Sequence, residues 1–197
     1  MANLIQLLSE QEKKKLLYQK YEAGKIIFLE NSICNTVGFV IKGEIDIVSY
    51  SFSGKEIIYN VIKEDGMFGN NLLFSDDNHY RGNVTAVIDS QVAYLKKEDL
   101  LDIMKSNEQF LEKYLQEQAN FGKKLNLQIK LLSFNNAEDR LHYYMLTHNG
   151  KITFNNVTSL AKTLYLERET LSRLITKLVK QGIISRNKHQ LEFIKNR

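Results

Sequence analysis

LERETLSRLITKLVKQG, residues 166–182, is the stretch on which the fold turns. Leu171, Leu174, Ile175, Leu178 and Val179 stand at i, i+3, i+4, i+7 and i+8. That spacing makes one apolar stripe on a helix, and Gly182 is placed to cap its end. The other face carries Arg168, Glu169, Ser172, Arg173, Thr176, Lys177 and Lys180. Side chains of these types read base edges near a helix start and hold phosphates further along. A bland amphipathic helix with a solvated charged face has the same composition, so the surrounding sequence has to decide.

Immediately upstream, Asn156 is placed to cap a helix VTSLAKTL, and Tyr165-Leu166 forms the turn into the stretch quoted above. Helix, tight turn and second amphipathic helix with a basic outer face is the helix-turn-helix layout. Further upstream, Arg140, Leu141, Tyr144 and Met145 mark another helix, which ends at the turn pair Asn149-Gly150 and is followed by a short strand, KITF. Downstream, IISRNKHQLEFI reads as two short strands with a polar tip at Arg186 to His189, a wing able to touch phosphate. Asn156, Lys180, Arg186 and Lys188 are the expected phosphate and wing contacts. From Asn135 to Arg197 there are 11 Lys and Arg against 5 Asp and Glu, a net of +6, while the whole chain carries +4 and the remainder therefore −2. Basic charge gathered in the last third suits a polyanion-binding module joined to something that is not one.

The preceding segment, about Lys96 to Phe134, reads as helical. Leu111, Leu115, Gln118, Gly122, Leu125, Ile129 and Leu132 are spaced 4, 3, 4, 3, 4, 3, an a/d seam. Tyr114, Ala119 and Phe121 form a second apolar face. One face toward the home domain and the other toward a twin predicts a parallel homodimer, with Gln118 setting register and Gly122 allowing close approach. The run NNAEDR after Phe134 offers a hinge between domains.

The first half of the chain has a different period. Asn3 to Tyr18 reads as a short helix with Leu4, Leu7, Leu8 and Leu16. Then come KIIFLE, TVGFVIKG, EIDIVSYS, EIIYNVI, NVTAVI and QVAYL, punctuated by glycines such as Gly24, Gly43, Gly54 and Gly66. Short β-prone runs so spaced predict an all-β barrel or jelly roll. A metal-dependent enzyme on such a roll needs converging His, Asp and Glu ligands, and the only histidine in the β region is His79. No Ser-His-Asp arrangement or phosphate-binding Gly-rich loop is visible, so no enzyme is expected. Cys34 is the only cysteine, which excludes an intrachain disulfide, a cysteine-ligated cluster and a zinc ribbon, and reads as a small buried hydrophobe. No apolar run approaches the roughly 18 residues of a membrane span, and a cytoplasmic protein is expected. The fold class is thus α+β: residues 1–106 an N-terminal helix and jelly-roll sensor domain, 107–134 a dimerisation helix, and 135–197 a winged helix-turn-helix.

The whole pattern resembles the Crp/Fnr family of bacterial regulators. The most specific part, LAKTLYLERETLSRLITKL, is similar to the family's LA-x-x-LG-x-SRET-x-SR-x-x-x-x-L, and FVIKGEIDI resembles its strand and turn around Lys42-Gly43. The resemblance implies that Arg168, Glu169 and Arg173 read bases, with Thr170 and Ser172 in support and Lys177 beside them. It also implies a TGA-like half-site core on double-stranded DNA, with RNA polymerase a further candidate partner. Arg matches the guanine acceptors and Glu the cytosine amine, each contact carrying about 1–3 kcal/mol of discrimination. Tyr165 replaces the family's turn glycine.

The effector region departs further. Where the cyclic AMP branch has GEL and RSA motifs, this chain has GNNLLFSDDNHYRGNVTA. Asn70 stands for the ribose-binding Glu, and Tyr80 for the phosphate-binding Arg. Arg81 is one residue late, and a shift of one residue reverses the face on a strand. Leu125 and Asn126 replace the hydroxyl residues that meet adenine. The effector pocket is expected at Gly69, Asn70, Asn71, Arg81, Leu125 and Asn126, with cyclic AMP not its ligand and no cofactor identifiable. Cys34 alone cannot serve the cysteine-rich oxygen-sensing branch. The alternative is a cyclic-nucleotide-binding module that regulates a protein partner.

Overall fold

The computed structural model describes residues 4–194. Its strands are β1 (Leu17–Tyr21), β2 (Ile26–Phe28), β3 (Thr36–Lys42), β4 (Glu44–Tyr50), β5 (Glu56–Lys63), β6 (Met67–Phe68), β7 (Asn83–Ala86), β8 (Ser90–Lys96), β9 (Lys151–Thr153), β10 (Ile184–Asn187) and β11 (Gln190–Phe193). The helices are α1 (Glu10–Lys13), α2 (Lys97–Ser106), α3 (Glu108–Ser133), α4 (Ala137–Thr147), α5 (Val157–Thr163) and α6 (Arg168–Lys180). The chain forms two compact units, Met1–Asn120 and Phe121–Arg197, and the division falls inside α3.

In the first unit two antiparallel four-stranded sheets, ordered β1-β8-β3-β6 and β2-β7-β4-β5, form the jelly roll. Their inward residues share one core, with Val37 and Phe39 from β3, Ile45 from β4, Val84 from β7 and Val92 from β8. On β4 Ile45 is buried; the pairing with β5 shifts register between Ile47 and Val48, and Val48 is buried beyond the shift. All six β-prone runs became strands. β1 and β6 were not foreseen. The N-terminal helix is also corrected. Its expected first residue, Asn3, lies outside the described residues, and the rest breaks at Ser9, whose side chain caps α1 in a capping box with Glu12. Leu4–Leu7 is a single 3-10 turn, and Tyr18 belongs to β1.

An aromatic cluster fills the interior of the roll. Tyr80 stacks on Phe28 at 4.8 Å between ring centroids, and Tyr94 stands edge-on to Phe28 and Phe68 at 6.0 and 6.2 Å. Tyr21 and Tyr94 share a 2.9 Å hydroxyl–hydroxyl hydrogen bond. Cys34 is fully buried, as expected, and its thiol lies within donating distance of Thr36 O and Gly69 O.

Asn107 explains why the helical segment divides into α2 and α3. It ends α2 at φ −126°, and its Oδ1 accepts from Phe110 N at 3.0 Å, capping α3. Phe110 and Tyr114 then bury toward the roll. Ala119, assigned to the same face from sequence, is instead exposed.

The second unit is a winged helix-turn-helix. Its core is built from Leu141 and Met145 of α4, Leu160 and Ala161 of α5, and Leu171, Leu174, Ile175 and Leu178 of α6. Burying each large aliphatic side chain contributes about 1.5–3 kcal/mol. Val179, placed in the same stripe by its spacing, is 39% exposed at the stripe's edge. Asn156 caps α5, with Oδ1 accepting from Ser159 N at 2.8 Å. α6 ends in a Schellman motif: Ile183 N donates to Leu178 O, Gly182 N donates to Val179 O, and Gly182 has φ +71°. Strands β10 and β11 form the wing, with β9 beside β11.

Tyr165 has φ 55°, the left-handed conformation a glycine would adopt freely. Replacing it by glycine removes a penalty of about 1–2 kcal/mol, offset in part by loss of the contacts of its exposed ring. Tyr165→Gly is expected to raise the urea midpoint of the chain without changing its m-value. A lowered midpoint would show that the ring matters more than the backbone.

Asp46 on β4 is half-buried, and its Oδ1 has no hydrogen-bond partner. Burial, with Glu44 and Glu56 nearby, raises its carboxyl pKa. The folded state therefore holds this proton more tightly than the unfolded chain does. Its ionised form costs stability at pH values above the raised pKa, and that cost vanishes below the ordinary carboxyl range. Asp46→Asn should stabilise the chain at about pH 7, with the gain disappearing below about pH 4. Urea melts of both proteins across that window test it, and an equal gain at every pH would contradict it.

Candidate nucleic-acid interface

Burial of one side of α6 decides what the other side presents. Glu169, Arg173, Thr176 and Lys180, spaced 4, 3 and 4, are all exposed and form the line opposite Leu171, Leu174, Ile175 and Leu178. Arg168 and Ser172 border that line on one flank, Thr170 and Lys177 on the other. Ser172 is half-buried, and its carbonyl accepts from Thr176 Oγ1 at 3.0 Å. Among the described residues, no ion pair engages Arg168 or Arg173. Lys177 differs from these arginines: its Nζ donates to Glu138 Oε2 at 2.9 Å, tying α6 to α4. Thr176, which helical spacing placed on the outer face, lies on the centre line between Arg173 and Lys180.

Arg186 and Lys188 are exposed on the wing, where Asn187 Oδ1 accepts from Lys188 N at 2.9 Å. Asn156 is exposed at the start of α5, but its Oδ1 is committed to the cap. The α6 start has Glu167 as N-cap with no side-chain hydrogen bond to the first turn. Together α6, the start of α5 and the wing expose the cations Arg168, Arg173, Lys180, Arg186 and Lys188, with the acidic Glu167 and Glu169 at the start of α6. Such a surface can bind a polyanion and accept from a base amine at one point.

The α3 seam is apolar and exposed. Leu115, Leu125, Ile129 and Leu132 are 57%, 40%, 65% and 49% accessible. Leu111 and Gly122 are half-buried, and nothing lies within 4 Å of where a side chain on Gly122 would begin. Gln118, placed in the seam by spacing, turns to its own roll, where its Oε1 accepts from Asn70 Nδ2 at 3.1 Å.

The expected effector residues have different settings. Gly69 has φ +76° and sits so close to Thr36 O and Cys34 Sγ, 2.8 and 3.0 Å from an added Cβ, that no side chain fits. Asn70 is buried and engaged by Gln118, while Asn71 is exposed. Arg81 is 61% exposed and donates to Asp77 Oδ2 at 2.6 Å. Tyr80, its neighbour, points inward and is 1% exposed. Burial, with Cys34 beside it, raises the Tyr80 phenol pKa, so the ring stays neutral. Burial likewise pushes the Tyr114 phenol up to about 12. Leu125 and Asn126 are exposed on α3 in the second unit. The position that the resemblance gives to a phosphate-binding Arg is thus held by a neutral, inward-facing ring.

Among the described residues, no cluster of His, Cys, Asp and Glu could hold a metal ion, and no helix is long and apolar enough to cross a membrane. Residues 18–107 match the cyclic nucleotide-binding domain family and residues 144–190 the MarR family. The cyclic AMP receptor protein of Thermus thermophilus is 25% identical over 171 residues, covering 83% of this chain and 77% of that protein. Among solved structures, the Thermus thermophilus catabolite activator protein superposes with a TM-score of 0.57 at 22% identity, covering 98% of this chain and 94% of its own. A CooA mutant from Carboxydothermus hydrogenoformans reaches 0.66 at 21% identity, covering 98% and 91%. A nucleotide-binding-type roll followed by a winged helix-turn-helix, in the order and over the length these relatives share, makes this chain similar to the Crp/Fnr family of DNA-binding transcription regulators.

Proposed function

We propose that the protein binds double-stranded DNA sequence-specifically as a homodimer, each α6 lying in the major groove of one half of a palindrome with a TGA-like core. The observation that carries this reading is the outward line of α6, where Glu169, Arg173, Thr176 and Lys180 are exposed above a fully apolar inner face. Arg168 and Arg173 are free to make bidentate contacts to guanine, and Glu169 to accept from a cytosine amine. Lys180, Arg186 and Lys188 supply phosphate contacts, which set affinity and register but carry no sequence information. Lys177, held by Glu138, contributes at the phosphate edge of the same surface.

The exposed seam on α3 supports the dimer. Four large aliphatic side chains, Leu115, Leu125, Ile129 and Leu132, are exposed along one side of a 26-residue helix, and exposed apolar residues so grouped mark an interface. A two-fold dimer would place the recognition helices one DNA turn apart, about 34 Å. Such a protein works where the chromosome is, in the cytoplasm.

Cyclic AMP is not the controlling ligand in this reading. The inward position is taken by the buried Tyr80, and the guanidinium of Arg81 is outside, paired to Asp77. Any effector would have to bind the DNA-competent arrangement more tightly than its alternative, since equal affinity shifts nothing.

Arg168→Ala is expected to weaken binding to the best site by about 10- to 100-fold and relax preference at one base pair, with non-specific affinity nearly unchanged. Fluorescence anisotropy on matched and single-substituted duplexes at fixed salt measures this. Undiminished affinity for the best site would remove Arg168 from the base-reading set.

For the dimer, Ile129→Glu is expected to yield a monomer in sedimentation velocity at concentrations where wild type is dimeric. Its specific affinity should also fall steeply. A variant that sediments like wild type would place the interface elsewhere.

A further inference from the structure

Arg140 lies in the first turn of α4 and bonds in two directions. Its Nε and Nη2 donate to Phe134 O at 3.2 and 3.0 Å, the carbonyl just beyond the C-terminus of α3. Its Nη1 donates to Tyr165 O at 2.8 Å, the residue held in the left-handed conformation between α5 and α6. A planar guanidinium has donors on separate edges and can span two acceptors in one fixed geometry, whereas an ammonium is a point donor. The Phe134 ring is held too, 5.4 Å from the Tyr143 ring between centroids, with Lys130 Nζ 5.3 Å from its own centroid. Beyond it, Asn136 caps α4, its Oδ1 accepting from Asp139 N at 2.8 Å.

The segment after Phe134, read from sequence as a hinge, is therefore bonded at its carbonyl, its ring and its cap. We infer that Arg140 is a positioning residue that clasps the end of α3 to the turn before the recognition helix, so that the two move as one body. The inference rests on the DNA-binding dimer proposed above and deepens it. With the clasp closed, the direction of α3 sets the position of α6, and hence the separation of the two α6 helices across a dimer. With the clasp open, the Phe134 carbonyl and the Tyr165 turn lose their support together, because one side chain serves both.

The test compares full-length wild type, Arg140→Ala and Arg140→Lys in two measurements. Amide hydrogen exchange reads residues 131–136 and 164–168 in the absence of DNA. Both segments are expected to exchange about tenfold faster or more in both variants, while the buried side of α6 stays protected. Lysine should behave like alanine, since it reaches only one carbonyl, and it supplies the milder variant should alanine fold poorly. The second measurement is binding to duplexes whose two half-sites are separated by a graded series of spacings. Wild type should prefer one spacing, and the variants should accept neighbouring spacings within about threefold of the best. Loss of protection in only one segment or in neither overturns the clasp. A variant that keeps the sharp wild-type spacing preference does the same, because a residue that served only stability would leave that preference intact. A wild type with no spacing preference contradicts the dimer reading instead, and the exchange data then judge the clasp alone.

Discussion

The structure depends on the burial of Leu171, Leu174, Ile175 and Leu178 against the core of the second unit. Because those four occupy one side of α6, the rotational setting of the helix is fixed, and with it the identity of the residues that face out. A turn of one residue in either direction would bury a charge, and a buried unpaired charge costs far more than any contact it could make with DNA. Recognition chemistry in this protein is thus set by hydrophobic packing. Glu169, Arg173, Thr176 and Lys180 are presented because their neighbours cannot be. The Schellman end at Gly182 and the Glu138–Lys177 ion pair reinforce the same setting from the far end.

In the first unit, Tyr80 and Arg81 lie in the connection before β7, Arg81 within a bend, and their side chains part there. The chain places the ring inside, stacked on Phe28, and leaves the guanidinium to Asp77. The interior at this point of the roll is therefore aromatic. Likeness in fold to cyclic-nucleotide receptors does not by itself assign a ligand.

Much of this was legible in the sequence wherever period and burial agree. The β-prone runs, the α5–turn–α6 pattern and the wing strands appear where their spacing places them. β1 was not legible because LYQKY is largely exposed and is a strand only through its pairing with β8. β6 is two residues long, too short to show a period. Apolar spacing was read straight across Ser9, although a serine followed three residues later by Glu12 is itself a start signal. Of the candidate site, the exposed face of α6 could be read from helical periodicity alone. The pairing of Lys177 with Glu138, the turn of Gln118 toward Asn70 and the reach of Arg140 to two carbonyls could not. Each joins residues distant in sequence, through geometry that only the packed fold defines.

The most direct test of the central claim is selection of bound duplexes from a random DNA pool by the wild-type protein, followed by sequencing. The account predicts enrichment of a two-fold symmetric sequence, with TGA-like cores whose centres lie about one helical turn apart. Enrichment of a single unpaired core, or no enrichment over input at a salt concentration where the protein still binds DNA, would contradict it.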